Sequence, residues 1–291
     1  VVCQSYSGWE LIVVDDCSPE DLEAIVRPYL TDKRIHYYRN EKNCGAVDVV
    51  DNWNICLNYC TGDYVICIGD DDRLLPCCLE EYAKLIGLYP GLNVYHCRTE
   101  IIDEQGMTVD EQEERPERES ALSMLWNRWD HRNKQFIGDF CYDTDFLKGI
   151  GGYYKLPLAW GSDDITALMA ARQQGIANTH SFGFQYRMNS QTISESATNA
   201  QTKIEAFIAQ QHWYSTFLAD VQKEPLSAED QHLLDTISVP RHKAIVKALG
   251  RYCPDYANGN PLRMLHCYRL LRHLHIGPSM FLKWYIQSVI S

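Results

Sequence analysis

The first hundred residues alternate between two hydrophobic periods. Short apolar runs at 9–16 ("WELIVVDD"), 34–39 ("RIHYYR"), 63–69 ("DYVICIG") and 92–98 ("LNVYHCR") read as strands, the first as a buried parallel one. Between them lie segments with apolar residues at helical spacing. In "CSPEDLEAIVRPYL" (17–30), Ser18 suits the N-cap, Pro19 the first turn, and Glu20 and Asp21 the positive end of the helix dipole. "AVDVVDNWNICLNYC" (46–60) reads as a helix that Gly62 stops, and "PCCLEEYAKLIGLYP" (76–90) as another. The alternation predicts an α/β chain with a doubly wound, mostly parallel sheet flanked by helices. Such sheets bind ligands at the carboxyl ends of their strands. Asp15/Asp16 and Asp70–Asp72 sit at two of those ends and are expected to share one crevice.

Past residue 100 the rhythm loosens. The charge run "DEQEERPERES" (110–120) reads as a solvated loop. In "FLKGIGGYYKLPLAWGSDDITALMAARQQG" (146–175), Gly149, Gly151 and Gly152 permit a tight turn or a close approach to a ligand. Asp163 and Asp164 then open an apolar helix, where the dipole favours anions. From about residue 200 the pattern is helical. The expected organisation is a sheet-bearing domain over 1–200 and a helical C-terminal extension over 201–291.

Charge narrows the function. A net −12 argues against a general nucleic-acid binder, which should be basic. The charge is uneven, however: residues 241–291 carry eight Lys or Arg against Asp255 alone, leaving 19 bases and 38 acids in the first 240. The twelve cysteines show no zinc-binding spacing, and Cys56, Cys60, Cys67 and Cys97 sit in apolar runs as reduced, buried thiols do. That usage points to the cytoplasm, and no signal peptide or long apolar span is visible. The opening "VVCQSY" reads as the middle of an element.

"YVICIGDDDRLLP" (64–76) ends an apolar run in Asp70, Asp71 and Asp72. Adjacent carboxylates at the end of a buried strand repel one another and resist desolvation, so the arrangement calls for a cation. An all-oxygen donor set suits a hard one, Mg²⁺ or Mn²⁺.

Four passages, in order, resemble those of the family 2 glycosyltransferases, which have the GT-A fold. "SYSGWELIVVDDCSPED" (5–21) is similar to the family's first strand–loop passage, and "CTGDYVICIGDDDRLLP" (60–76) to its metal-binding DXD passage. "FLKGIGGYYK" (146–155) followed by "GSDD" (161–164) resembles the acceptor-side Gly-Gly turn and the ED motif. "YRMNSQTIS" (186–194) is similar to a Tyr-Arg and Ser element. Two departures stand out. The family begins one strand earlier, and its usual Arg-Asn pair reads Trp53-Asn54 here.

The resemblance implies an inverting, metal-dependent transfer of a sugar from a nucleotide-diphosphate donor to a hydroxyl acceptor, in surface polysaccharide synthesis. It places Mn²⁺ or Mg²⁺ on Asp71, Asp70 at the sugar or ribose, and Asp72 beside them. Asp164 aligns with the base of the ED motif; a shift of one residue makes Asp163 the base instead. Asp16, next to Asp15, would accept from the base's imide N–H, favouring a UDP or dTDP donor. Asn43 and Gly45 resemble the family's Asn-x-Gly near the nucleotide, and Asn54 carries over. Arg187 reads either as a diphosphate partner or as a plain surface residue. A nucleotidyltransferase and a non-catalytic sugar-nucleotide-binding protein are the alternative readings. The acceptor would be a saccharide or a lipid-linked sugar, and the basic tail 241–291 could touch an anionic membrane at the inner face of the cell membrane. Alternatively, its helices bury their apolar face on the catalytic domain and show their charges to water.

Overall fold

The computed structural model describes residues 1–188 and 199–290. Residues 189–194 of the Tyr-Arg and Ser passage therefore lie outside the described residues.

Strands β1 (Leu11–Asp15) and β2 (Ile35–Arg39) pair in parallel as a two-stranded sheet, connected through the short helix α1 (Leu22–Val26). Asp21 caps α1 by accepting the Ala24 N–H at 3.1 Å. Ser18, the expected cap, instead turns the chain, donating its N–H to Asp15 and accepting from Glu20. Helix α2 (Val49–Tyr59) buries Val50 and Leu57, two turns apart on one face.

The larger sheet is built from β3 (Tyr64–Val65), β4 (Arg73–Leu74), β5 (Val94–Ile102), β6 (Thr108–Glu111), β7 (Arg118–Glu119), β8 (Phe140–Asp143) and β9 (Ile176–Arg187). Its order is β3-β8-β5-β9-β4, with β6 on β5 and β7 on β9. The long neighbours β5 and β9 run parallel, and the shorter strands pair antiparallel around them. Most of β5 is buried, as a central strand covered on both faces requires. Helix α3 (Cys78–Leu88) covers one face, burying Cys78, Tyr82 and Leu85 at helical spacing. On the other side, α4 (Ala121–Trp129), α5 (Thr144–Gly149) and α6 (Ser162–Ala171) build the main core; Ile165, Ala167, Leu168, Ala170 and Ala171 of α6 are all inside it.

Two expectations change here. The run 63–69 is a strand only at Tyr64–Val65, because residues 66–68 find no neighbour to pair with and face β1 across cavities of about 230 and 140 Å³. The charge run at 110–120 is solvated at Asp110, Glu111, Glu113, Glu114, Pro116 and Arg118, but not throughout. Gln112, Arg115 and Glu119 are buried beside His96 and Asp139, and Gln112 binds both Asp139 and the Lys134 carbonyl. Alternation of polar residues there hides a buried polar network, which a count of charges cannot see.

Five helices follow: α7 (Ala200–Val221), α8 (Ala228–Thr236), α9 (Ser238–Ala257), α10 (Pro261–Leu271) and α11 (Pro278–Ile290). Helix α7 joins two cores. Its Tyr214, Phe217 and Val221 enter the main core, while Ile204 and Phe207 meet Leu249, Leu271, Phe281 and Trp284 of the last three helices. The tail therefore does bury an apolar face on the body. Among the described residues no helix is long and apolar enough to cross a membrane, and all twelve cysteines are free thiols.

Candidate active site

Gly161 starts α6 from the left-handed region, at φ 87°. A Cβ there would stand 1.9 Å from the Gln210 amide, so glycine lets α7 close against the first turn of α6. That turn presents Asp163 and Asp164, which differ in their surroundings. Asp164 is buried, and both its oxygens accept from Arg128 Nε of α4, at 3.0 and 3.2 Å. Asp163 is half-buried, and its carboxyl lines a cavity of about 970 Å³. Burial, reinforced by the Asp164 charge and opposed by Arg128, pushes the Asp163 carboxyl up to about 7. A group balanced there can take a proton near neutral pH. Leu158 and Ala159, on the same wall, have φ of 60° and 52°. Left-handed L-residues store about 1–3 kcal/mol each, and such strain clusters at functional sites.

Asn54 holds the glycine turn. Its side-chain carbonyl accepts the Tyr153 N–H at 2.8 Å, and its amide donates to the Tyr153 carbonyl at 3.3 Å. Gly152 makes this clamp possible: at φ 89°, a Cβ would lie 2.2 Å from Asn54 Oδ1. Gly152→Ala should therefore cost roughly 2 kcal/mol or more and lower the melting temperature by several degrees. An unchanged melting temperature in calorimetry would show that the turn relaxes freely.

At the end of β1, Asp15 is almost fully buried. Burial opposes its ionisation, but the Ser18 N–H, the Tyr37 hydroxyl and Arg39 outweigh this and hold its carboxyl below the usual range. Its oxygens take part in that local network, which fixes the end of β1. Asp16 accepts the Cys44 N–H at 3.0 Å and the Asn40 amide at 2.7 Å, while Asn43 donates to the Asp16 carbonyl at 2.5 Å. Gly45 follows at φ 74°. Asn43 and Gly45 thus shape the loop that carries Asp16, whose carboxylate still has lone-pair capacity for one more donor.

Asp70 is exposed, and Asp71 and Asp72 are half-buried in the turn before β4. Arg187, at the end of β9, locks this turn. Its N–H donates to Asp72 Oδ1 at 2.8 Å, its Nε to the Asp71 carbonyl at 2.8 Å, and its Nη1 to the Asp103 and Glu104 carbonyls at 2.8 and 3.1 Å. Arg187 is thus tied into the fold beside the acids rather than being a plain surface residue. Burial and the Asp71 charge push the Asp72 carboxyl up to about 7 in spite of the Arg187 N–H. Among the described residues, no three His, Cys, Asp or Glu converge as a metal cage. Among those residues the three acids are thus not a ready-made three-ligand site, and Asp72 accepts the Arg187 N–H.

Several lining residues carried no signal in the sequence. Arg128 is one basic residue inside an amphipathic helix, and its bond to Asp164 spans 36 positions. Trp160, Gln210, Tyr252 and the α9 residues Lys247 and Arg251 reach the cavity from segments without a motif.

The sequence profile described as Glycosyl transferase family 2 matches residues 1–145. A segment of 78 residues is 42% identical to the "Putative colanic acid biosynthesis glycosyl transferase WcaA" of Escherichia coli (strain K12), covering 26% of each chain. Over 124 residues the chain is 31% identical to an "Uncharacterized glycosyltransferase" of Haemophilus influenzae, covering 42% of this chain and 40% of that one. The matches thus span well under half the length of these relatives. In fold, the chain is similar to S. aureus TarS 1-349 in complex with UDP-GlcNAc, with a TM-score of 0.60 at 16% identity over 98% of this chain and 83% of that one. That likeness extends the α/β GT-A architecture to the helical C-terminal region. Over residues 1–145 the chain belongs to glycosyltransferase family 2.

Proposed function

We propose that the chain transfers a sugar, with inversion, from a nucleotide-diphosphate donor to an acceptor hydroxyl, as a step in surface polysaccharide synthesis. The observation that carries this reading is the divided carboxylate pair: Asp164 fixed by Arg128, and Asp163 facing a large cavity with a raised pKa. Asp163 is then the base. It accepts the hydroxyl proton as that oxygen attacks the anomeric carbon and the bond to the diphosphate breaks on the opposite face. Asp164 orients the first turn of α6 through Arg128. This reverses the roles suggested by alignment, on the ground that a carboxylate bound by a guanidinium is a poor proton acceptor.

The acids at 70–72 fit a divalent cation. Their donors are all oxygen, and Asp72 resists ionisation next to Asp71, a strain that a cation relieves. Asp71 and Asp70 would hold Mn²⁺ or Mg²⁺ in the usual mode of one or two carboxylates plus substrate oxygens. Held there, such a cation would supply positive charge to offset that on a leaving diphosphate. Arg187 keeps the loop that presents these carboxylates in register. Asp16, on its loop shaped by Asn43 and Gly45, receives the imide N–H of a uracil or thymine base. A pyrimidine-sugar donor incubated with Mn²⁺ and acceptor oligosaccharides should release nucleoside diphosphate only when an acceptor is present. Release that ignores both acceptor and Asp163→Asn argues for the non-catalytic or nucleotidyl readings.

The last two helices favour a peripheral contact at the inner membrane face. Helix α11 exposes Leu282, Ile286, Val289 and Ile290 along one stripe beside Lys283, and α10 exposes Leu262 and Leu265 beside Arg263 and Arg269. An apolar stripe edged by bases suits an anionic bilayer surface. Co-sedimentation with anionic vesicles, lost in Leu282→Glu/Ile286→Glu, is the expected result; equal sedimentation of the two proteins contradicts it.

A further inference from the structure

Residues 134–137, on one wall of the 970 Å³ cavity, are held from beneath by buried polar side chains. Gln112 and Arg115 both donate to the Lys134 carbonyl, at 2.9 and 2.7 Å. Asp139, fully buried, accepts the Phe136 N–H at 3.2 Å and the Gln112 amide at 2.6 Å. Such bonds are stronger inside a protein than in water, so the segment has little freedom.

The same segment lies over one face of β9. Phe184 and Tyr186 are two positions apart on that strand and therefore point the same way. Gly138 closes on the first, since a Cβ there would stand 2.3 Å from the Phe184 ring. Phe136 closes on the second. Its ring stacks on that of Tyr186, with centroids 4.0 Å apart and an interplanar angle of 16°. Both rings of the stack line the cavity.

The residue after Tyr186 is the one that holds the acids. Arg187 donates its N–H to Asp72 at 2.8 Å and its Nε to the Asp71 carbonyl at 2.8 Å. That N–H belongs to the planar peptide unit joining Tyr186 to Arg187, so a ring fixed on Tyr186 limits how the unit can tilt. Arg73 pairs opposite Gln185, which brings the Asp70–Asp72 turn onto β9 beside the stack.

We infer that Phe136 is a positioning residue for the turn at Asp70–Asp72: stacked on Tyr186, it fixes the peptide whose N–H holds Asp72, and so sets Asp71 in place for a cation and a diphosphate. This rests on reading those acids as the cation site of a nucleotide-sugar-dependent enzyme. One contact between two rings then serves both substrates, because the stack that steadies the acids is also part of the cavity that Asp163 faces.

The test reads metal-dependent binding by the full chain and needs neither acceptor nor turnover. The probe is UDP, with Mn²⁺ titrated while the melting temperature is followed. Phe136→Leu keeps an apolar side chain and removes the stacking face. It should raise the Mn²⁺ concentration for half-maximal UDP stabilisation roughly tenfold, the lower end of what groups orienting a metal site from behind contribute. Tyr186→Leu removes the other ring and should give the same shift. The two changes together should cost little more than either alone, as expected of residues in contact. Phe136→Tyr keeps the stack and should keep the wild-type midpoint. A residue that only fills space would lower the metal-free melting temperature and leave the Mn²⁺ midpoint where it was. Unmoved midpoints in the Leu variants, additive shifts in the double variant, or a Phe136→Tyr as weak as Phe136→Leu would each overturn the inference. If Phe136→Leu does not fold, Tyr186→Leu decides alone, a tenfold shift supporting the inference and a wild-type midpoint overturning it. A wild type that UDP with Mn²⁺ does not stabilise overturns the parent reading and this one together, whereas a stabilised wild type with indifferent variants removes this one alone.

Discussion

Asp163→Asn is expected to lower sugar transfer by about 10²–10⁴-fold, the usual worth of a general base, while donor binding stays at the wild-type level. The variant keeps the shape of the side chain and removes only its basicity. In the wild type, transfer should fall as the pH drops below about 7, since Asp163 must be ionised to act. The same shift has a signature in stability. Its folded pKa of about 7 lies above the ordinary 3.8, so the folded state holds this proton more tightly than the unfolded one. Ionisation therefore costs stability progressively as the pH rises from about 4 to 7, and the cost is complete above that. The Asn variant never bears the charge, so its melting temperature should exceed the wild type's by a margin that grows over this window and then levels off. Asp164→Asn should behave in the opposite way, losing stability because it leaves the Arg128 guanidinium without its counter-charge. Full transfer by Asp163→Asn, with transfer abolished in a stably folded Asp164→Asn, would return the base to Asp164.

Asp71→Asn should remove metal-dependent donor binding and leave the fold intact. A nucleoside diphosphate at about 100 times its Kd stabilises the wild type by about 2.7 kcal/mol, and the variant should forfeit most of that gain. Asp72→Asn should be milder, because its side-chain oxygen can still accept the Arg187 N–H. If Asp71→Asn keeps the full Mn²⁺-dependent shift, the cation is held elsewhere.

The sequence made the alternating elements and the acidic strand ends legible because both rest on local patterns. Periodicity found β1, β2, α2, α3 and β5 within a few residues, and the dipole argument found the start of α6. It failed where partners are distant. Nothing in "DYVICIG" tells whether a neighbouring strand is present, so the run at 66–68 looked like strand and is not paired. Nothing in "LWNRWD" says that Arg128 meets Asp164, yet that contact decides which acid is left to act as base. Asn54 and Arg187 have the polar chemistry of ligands; only the fold shows that each binds backbone groups of a loop beside the site. The basic tail could be read from composition, but its placement of Lys247 and Arg251 in the cavity depends on how α9 packs against α7.

The measurement that bears most directly on a nucleotide-sugar-dependent enzyme is a thermal-shift panel of nucleoside diphosphates and their sugars on the full chain, with and without Mn²⁺. The account predicts a rise in melting temperature with UDP or dTDP that needs the metal, is absent with CDP, and disappears in Asp71→Asn. A panel in which no nucleotide shifts the melting temperature, or in which the shift is indifferent to Mn²⁺ and to Asp71, would contradict it.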